Sequence, residues 1–527
     1  MPVRRRFDPR ELVAEVFPHP VEQLDIIETH ISWVVLTGST AYKFKKPVDF
    51  GFLDFSSLDK RRVACEQELR LNSRSAPEIY LGLVAVVVRG DGLELVDGGV
   101  DPDQSKVLEY GIRMREFPQS AQLDRQFEAG CLTGADMDQV AAMISGLHQS
   151  AAIAGADQPW GEPQTLLQPA LENFRHLRDL GGDESPMLAQ LQRWSEAEFS
   201  AQQALFRQRK RDGRVRECHG DLHLSNLVRI GSDIVAFDCI EFDPALRWID
   251  VLSDVAFLHM DLMVRQRADL AFRFLNSYLE HSGDYAGIPV LPFYLCYRSM
   301  VRAKVAALQI ANGSLPDPRR RRLEQRYEAH LQFARSLVDA AVPRLVLMHG
   351  LSGSGKTWLS QQLLEHLPAV RIRSDVERKR LYGLDAAADT HSAPRAGIYS
   401  DSATRRTYRH LLECADAMLQ SGCMVIVDAA FLDPRQREPF MQLAAQRHLP
   451  CVIIACEAPL ATLRERLVRR SQKGGDASEA SLEVLASQLS GSAAIAAIAA
   501  AKVVPVDTSR AVEITTLCRL IRDCEAG

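Results

Sequence analysis

RLVLMHGLSGSGKTWLSQQLL, Arg344 to Leu364, joins an apolar run to a Gly/Ser turn and then to a helical stretch. Within it, Gly350 to Thr357 fits the pattern GxxxxGK[ST]. Glycines let backbone N–H groups wrap phosphate oxygens, and the helix that starts behind them adds a favourable dipole. Lys356 has the reach to meet β- and γ-phosphates, and the Thr357 hydroxyl is placed to ligate Mg²⁺. The expected nucleotide cradle is therefore Gly350, Ser352, Gly353, Ser354, Gly355, Lys356 and Thr357.

Downstream, VRIRSDVERKRLYG reads as a strand ending at Ser374-Asp375. A carboxylate there points to the edge where α/β sheets bind ligands, so Asp375 can orient or deprotonate an acceptor hydroxyl. Arg378, three residues on, can hold an anionic acceptor; the alternative is an N-cap Asp with solvated basic neighbours. Val425 to Asp428 is a second apolar strand ending in a carboxylate, suited to Mg²⁺ or its water; the alternative is a plain cap or strand-end Asp. LRERLVRRSQKGGDASEA then places Arg464, Arg466, Arg469 and Arg470 on a helix before a Gly-Gly turn, the pattern of a lid that closes on phosphate. The runs CMVIVDAAF, PCVIIAC and KVVPVDT alternate with helical stretches, which predicts a parallel sheet covered on both faces. From about Arg344 to Asp523 this order resembles the P-loop kinases related to polynucleotide kinase, which include zeta toxins and chloramphenicol phosphotransferase.

Upstream, residues 24–96 are strand-rich, with SWVVLTGSTAYKF broken at Thr37-Gly38-Ser39 as a hairpin would be. SLDKRRVACEQELRLNSR predicts a helix capped by Ser57, and VLEYGIRM a strand with a Gly interruption. After Leu123 the pattern is helical to Arg216, strand-like over 218–241, and helical again to about Ala341. The strand-like region holds CHGDLHLSNL, His219 to Asn226 at its centre, then IVAFDCIEFDP with Asp238. An Asp and an Asn five apart, with another Asp about a dozen residues on, is the spacing of a kinase catalytic loop and its metal Asp. Asp221 would take or orient the acceptor's hydroxyl proton, while Asn226 and Asp238 hold Mg²⁺ through hard oxygen ligands.

His219-Gly-Asp-Leu-His-x-x-Asn resembles the aminoglycoside phosphotransferase and choline-kinase-like superfamily, with Asp238-Cys-Ile in place of Asp-Phe-Gly. The resemblance implies a two-lobed kinase fold over about residues 22–340 and a lysine–glutamate pair in its first lobe. In YKFKK, Lys43 and Lys45 share a strand face. Lys45 is preferred from its V-A-I-K-like position and Lys43 is the runner-up; Glu68 is preferred as partner, Glu66 second. Glu109 to Phe117 is the expected hinge, and Gly38 lies in the one turn that could cover phosphates. Asp250 is read as the brace of the catalytic loop. Arg298 and Arg302, a helical turn apart, either pair with Asp250 and Asp254 or line an acidic acceptor's pocket.

The fold class expected is an α+β two-lobed protein-kinase-like domain followed by an α/β P-loop NTPase domain with a parallel sheet. The boundaries are 1–342 (first lobe about 22–115, second about 118–340) and 343–527. A net charge of -5 gives no general push towards nucleic acid or membranes, and eleven cysteines without CxxC pairs read as reduced thiols. The apolar Ala493–Val506 stretch is shorter than the roughly 20 residues of a membrane span. The architecture resembles a bacterial family that fuses the two kinase-like domains. This implies an ATP- and Mg²⁺-dependent phosphotransferase, bifunctional and acting on hydroxyl groups of small molecules; the reduced thiols and the short apolar stretch lead to the expectation of a cytoplasmic protein. The alternatives are a P-loop module that regulates the kinase-like half, or a polynucleotide 5′-kinase, against which the acidic balance weighs.

Overall fold

The computed structural model describes residues 7–525 apart from 52, 91, 100–105, 182–184, 312–315, 340–341, 391–395, 474–476 and 492–500. The Gly474-Gly475 turn and most of the alanine-rich stretch lie outside the described residues.

The first lobe is an antiparallel sheet of β1 (Asp25–Glu28), β2 (Ser32–Leu36), β3 (Thr40–Lys45), β4 (Tyr80–Arg89), β5 (Gly92–Asp97) and β6 (Val107–Arg115), ordered β1-β2-β3-β6-β4-β5. Helix α1 (Leu58–Asn72) opens on Ser57, whose hydroxyl accepts from the Lys60 amide at 3.3 Å. Side-chain alternation divides β3. Tyr42 and Phe44 pack with Phe7, Leu12 and Phe17 of the N-terminal segment, while Ala41 packs with Cys65 of α1. Lys43 and Lys45 are thereby turned to Glu68 on α1. Gly111 interrupts β6 because it stands opposite Phe44, where a Cβ would come within 2.5 Å of the ring.

Helices α2 (Leu123–Glu128), α3 (Gly134–Ser150), α4 (Pro163–Gly181) and α5 (Pro186–Arg211) follow. Next come β7 (Val215–Glu217), β8 (Leu227–Ile230), β9 (Asp233–Ala236), helix α6 (Pro244–Arg247) and β10 (Trp248–Asp250); β7 pairs with β10 and β8 with β9. The region expected to be strand-like thus has strands only around the loop at 218–226, which carries the His-Gly-Asp motif. Four helices complete this half: α7 (Val251–Val264), α8 (Ala268–Ser282), α9 (Leu291–Ala311) and α10 (Asp317–Val338).

The last part alternates β11 (Leu345–His349), α11 (Lys356–Leu364), β12 (Ala369–Arg373), α12 (Ser374–Leu381), α13 (Asp401–Gln420), β13 (Met424–Asp428), α14 (Pro434–Gln446), β14 (Cys451–Glu457), α15 (Leu460–Lys473), α16 (Leu482–Gly491), β15 (Lys502–Asp507) and α17 (Ile514–Arg522). Its five strands are all parallel, in the order β12-β13-β11-β14-β15. The strand before the Gly-rich loop is central, and its strand-end loops sit where strand order reverses, the usual ligand edge of such sheets.

The chain forms two compact units, Met1–Thr165 with Arg207–Leu258, and Leu166–Phe206 with His259–Gly527. In the second unit one core joins Phe174 and Leu177 of α4, Leu188 and Leu191 of α5, Met300 of α9 and Leu331 of α10. A separate core lies under the parallel sheet, with Val346, Leu359, Ile426 and Ile454 fully buried. All eleven cysteines carry free thiols. Among the described residues no helix is long and apolar enough to cross a membrane.

Candidate functional site

In the first unit, alternation along β3 and one face of α1 build a buried charge cluster. Lys43 Nζ lies 2.7 Å from Glu68 Oε1 and 2.5 Å from Asp238 Oδ1. Lys45 pairs instead with Glu68 and Glu241 and is almost fully buried. The preferred and runner-up lysines therefore hold different places: Lys43 reaches the metal-type Asp238, and Lys45 sits behind it. Burial works against the Lys43 charge, but Asp238 and Glu68 outweigh it and hold its pKa well above the usual lysine value. Burial likewise opposes ionisation of Asp238, and Lys43 outweighs it, so its pKa falls. Burial, reinforced by the neighbouring Glu68, pushes Glu241 up. Glu66, the second-choice partner, pairs with Arg62 on the exposed side of α1.

Asp238 adopts φ 64°, the left-handed region that costs a non-glycine residue, and its amide donates to the Tyr80 hydroxyl at 3.1 Å. That backbone turn aims its carboxylate at Lys43. In the His-Gly-Asp loop Asn226 Nδ2 donates to Asp221 Oδ2 at 3.0 Å and to the Asp221 carbonyl at 2.9 Å. Spending its amide N–H groups on Asp221 leaves the Asn226 Oδ1 as the atom that can meet a cation. His223 Nε2 stands 3.2 Å from the same Asp221 oxygen. Asp221 is one-third exposed and Asp238 is 43% exposed, so both carboxylates remain open to a ligand.

The brace of this loop is Asp254, not Asp250. Asp254 Oδ2 and Oδ1 accept from the His219 and Gly220 amides, both at 2.9 Å, and His148 Nε2 lies 3.2 Å from Oδ2. Asp250 is taken by Arg209 through two 2.7 Å contacts and by the Leu252 amide. Two acids four residues apart on the same stretch look alike in sequence, and only the path of the chain separates them. The Gly38 turn also differs from expectation. Its amide and that of Thr37 both donate to Glu116, at 2.9 and 3.1 Å, so a carboxylate already holds the groups a phosphate would need. Of the expected hinge, Glu109 to Arg115 is strand, and Glu109 is buried against Arg61 at 2.8 Å.

The second unit carries the Gly-rich loop. Gly350, Gly353 and Gly355 have φ of +142°, +82° and +83°. A Cβ at Gly350 would lie 2.4 Å from the Cys456 carbonyl oxygen, and one at Gly353 2.8 Å from that of Leu463. Both neighbours are backbone, so the cradle admits only glycine. Lys356 Nζ donates to the Gly350 and Leu351 carbonyls at 2.8 Å, and burial lowers its pKa against the pull of Asp428. Asp428, at the end of β13, is buried and accepts from Ser360 Oγ at 3.2 Å.

A cavity of about 790 Å³ opens over this loop, lined among others by Ser352, Lys356, Thr357, Asp375, Arg378 and Asp428. That volume suits a nucleotide with a small second ligand. Asp375 comes from the first turn of α12. Arg378 Nη1 donates to the Ile398 carbonyl at 2.9 Å and the Thr404 hydroxyl at 3.3 Å, so it also ties down the cavity wall. Of the four α15 arginines, Arg466 and Arg470 line the cavity, while Arg464 and Arg469 are exposed. Arg466 is a strut rather than a loose lid residue, donating to the Gly353 carbonyl at 3.2 Å and the Thr508 carbonyl at 2.7 Å.

Both parts of the chain match known families. Residues 122–291 match the family described as phosphotransferase enzyme family, and residues 345–494 match the family described as AAA domain. Uncharacterized proteins of Mycobacterium tuberculosis and Mycobacterium bovis are each 30% identical to the chain over 467 residues, covering 87% of it and 89% of the relative. Among solved structures, a choline/ethanolamine kinase family protein from Mesorhizobium loti is 13% identical, with 59% of this chain and 92% of that one covered and a TM-score of 0.35. A putative kinase from Chloroflexus aurantiacus is 20% identical, with coverage of 35% and 99% and a TM-score of 0.28. The chain belongs to the family, shared with these mycobacterial proteins, that joins an aminoglycoside-phosphotransferase-like kinase domain to a C-terminal P-loop domain.

Proposed function

We propose that this chain is an ATP- and Mg²⁺-dependent phosphotransferase with two nucleotide sites, each transferring phosphate to a hydroxyl group of a small molecule. The observation that carries the reading is the pairing of Lys43 with Glu68 and Asp238, together with the Asn226–Asp221 hydrogen bond on a loop tied to the Asp238 turn by the Phe237 amide, which donates to the Asn226 carbonyl at 3.0 Å. Two hard oxygen donors, Asn226 Oδ1 and the Asp238 carboxylate, suit Mg²⁺. In the P-loop half, Thr357 and Asp428 are the corresponding oxygen donors, and the cradle that bends at Gly350, Gly353 and Gly355 suits phosphate. The cation, when bound, neutralises charge on the phosphate oxygens.

The chain's own residues do the rest. Asp221 accepts the proton of the attacking hydroxyl, and the Asn226 amide keeps one carboxylate oxygen fixed so that the other faces the acceptor. Lys43 supplies a positive charge to phosphate oxygens and is itself held by Glu68. In the second site Asp375 takes the same role as Asp221, with Arg378 beside it on α12. Positioning and charge neutralisation are what phosphoryl transfer asks of a protein. The reduced thiols and the lack of a membrane-crossing helix among the described residues support a cytoplasmic enzyme.

The test is phosphate transfer from ATP to a library of hydroxyl compounds by the whole chain. Asp221→Asn and Lys356→Ala should each remove a different part of total turnover, the lost part falling roughly 10²–10⁴-fold. If either substitution alone abolishes all turnover, two independent sites are wrong. Asp375→Asn decides the second site: unchanged transfer to every acceptor would leave the P-loop half as a regulatory nucleotide module.

A further inference from the structure

Helix α8 belongs to the stretch that matches the phosphotransferase family, yet it lies against the P-loop sheet within the second unit. Strand β12 is the edge of that sheet and would otherwise present unpaired backbone groups. Asn276 on α8 covers them: its Nδ2 donates to the Ala369 carbonyl at 2.9 Å, and its Oδ1 accepts from the Arg371 amide at 2.6 Å. One turn on, Glu280 pairs with two arginines that project from β12. Its Oε1 lies 2.6 Å from Arg371 Nη2 and its Oε2 3.2 Å from Arg373 Nη1.

Both arginines lead to Asp428. Arg373 Nε is 4.0 Å from Asp428 Oδ2, and Arg371 Nη1 donates at 3.1 Å to Ser360 Oγ, which donates to the same oxygen at 3.2 Å. Arg371, Glu280 and Asp428 are each at least four-fifths buried, so these charges are poorly screened. Two guanidinium groups thus stand between two carboxylates, one from each half of the sequence.

We infer that Glu280 is a positioning residue of the P-loop site, drawing Arg371 and Arg373 away from Asp428 so that this carboxylate keeps its charge available to a divalent cation. The inference rests on the reading of Asp428 as a cation-facing group. Without the Glu280 charge, Asp428 is an anion within 4.0 Å of Arg373, and Arg371 is linked to it through Ser360. Arg373 would close the 4.0 Å gap and compete with the cation. The kinase-like segment therefore completes the nucleotide site of the P-loop segment. The Glu280 carboxyl is itself held ionised: burial opposes its charge, but Arg371 and Arg373 outweigh it and lower its pKa.

The experiment uses the full chain and reads the part of Mg²⁺-dependent ATP binding that Lys356→Ala removes, titrated with Mg²⁺ at fixed ATP. Glu280→Gln keeps the shape and loses the charge. The Mg²⁺ concentration for half-maximal binding should rise about tenfold, within the range seen when partners of metal ligands are changed. Asn276→Ala serves as the structural control, since it weakens the same helix–strand contact without altering charge near Asp428. It should lower the melting temperature and leave the Mg²⁺ midpoint within about twofold, below the tenfold shift that outer partners of metal ligands produce. Adding Arg373→Gln to Glu280→Gln should restore most of the lost Mg²⁺ affinity. An unchanged Mg²⁺ midpoint in folded Glu280→Gln, or equal shifts in Glu280→Gln and Asn276→Ala, overturns the positioning role. If the unsubstituted chain has no Lys356-dependent ATP binding, the P-loop reading itself fails, which is a separate and recognisable result.

Discussion

Lys43 and Lys45 share one face of β3, and both touch Glu68, yet their surroundings assign them different work. Lys43 ends on the half-open Asp238, whereas Lys45 ends on the buried Glu241. Replacing Lys43 by Met should lower kcat/KM for ATP at the kinase-like site by about 10²-fold or more, as loss of one phosphate-directed donor does. Replacing Lys45 by Met strands the buried Glu241 and leaves Glu68 with Lys43 as its lysine partner. Breaking a buried pair costs about 3–5 kcal/mol, so its main effect should be on thermal unfolding. Turnover assays and melting curves of both variants check this. A folded, inactive Lys45→Met beside an active Lys43→Met would reinstate the preference drawn from strand spacing. Spacing places both lysines on the right face but is blind to depth along the strand.

At the scale of elements, Glu217 shows how α1 is tied to the catalytic-loop region. This acid on β7 receives Arg70 at 2.8 Å and Arg74 at 3.4 Å from α1 and its end, and Arg247 at 3.2 Å from α6. Burial opposes its charge, but the three guanidinium groups prevail and pull its pKa down to about 2. A carboxyl lowered on folding stabilises the native state above its unfolded pKa and loses that contribution as pH falls through the folded value. The Glu217 contribution should therefore be complete above pH about 4.5 and disappear by pH about 2. Glu217→Gln should unfold more easily at pH 7, and its deficit relative to the parent should shrink across that window. Denaturant unfolding of the first unit at several pH values measures it; a deficit that stays constant down to pH 2 would contradict the assignment. The helix and its Ser57 cap are legible in the sequence, because capping is local. The three-arginine clasp is not, because its members come from separate elements.

For the molecule as a whole, the compact units do not follow the order of the family matches. The phosphotransferase-family stretch is itself divided, with residues 122–165 and 207–258 in the first unit and 166–206 and 259–291 in the second. A fragment cut at residue 343 loses α8, and with it the Asn276 and Glu280 contacts to β12. Those hydrogen bonds and ion pairs are together worth about 2–4 kcal/mol. The fragment 343–527 should thus melt roughly 5–15 °C below the P-loop transition of the intact chain. Calorimetry of both checks this, and equal melting temperatures would show that α8 adds nothing to that sheet.

By itself the sequence determined the two kinds of fold, the parallel sheet, the Gly-rich cradle and the Asp221–Asn226–Asp238 spacing. Each of these rests on short-range rules: strand and helix periodicity, glycine where backbone must approach phosphate, oxygen ligands spaced around one turn. Tertiary structure alone decided which acid braces the catalytic loop, Asp254 rather than Asp250, and which lysine meets Asp238. It also decided that Glu116 occupies the Gly38 turn and that Arg373 stands between Glu280 of one half and Asp428 of the other. These depend on charges brought together from positions far apart in the chain. A buried ion pair is selected by distance and desolvation, and neither quantity is written in residue spacing.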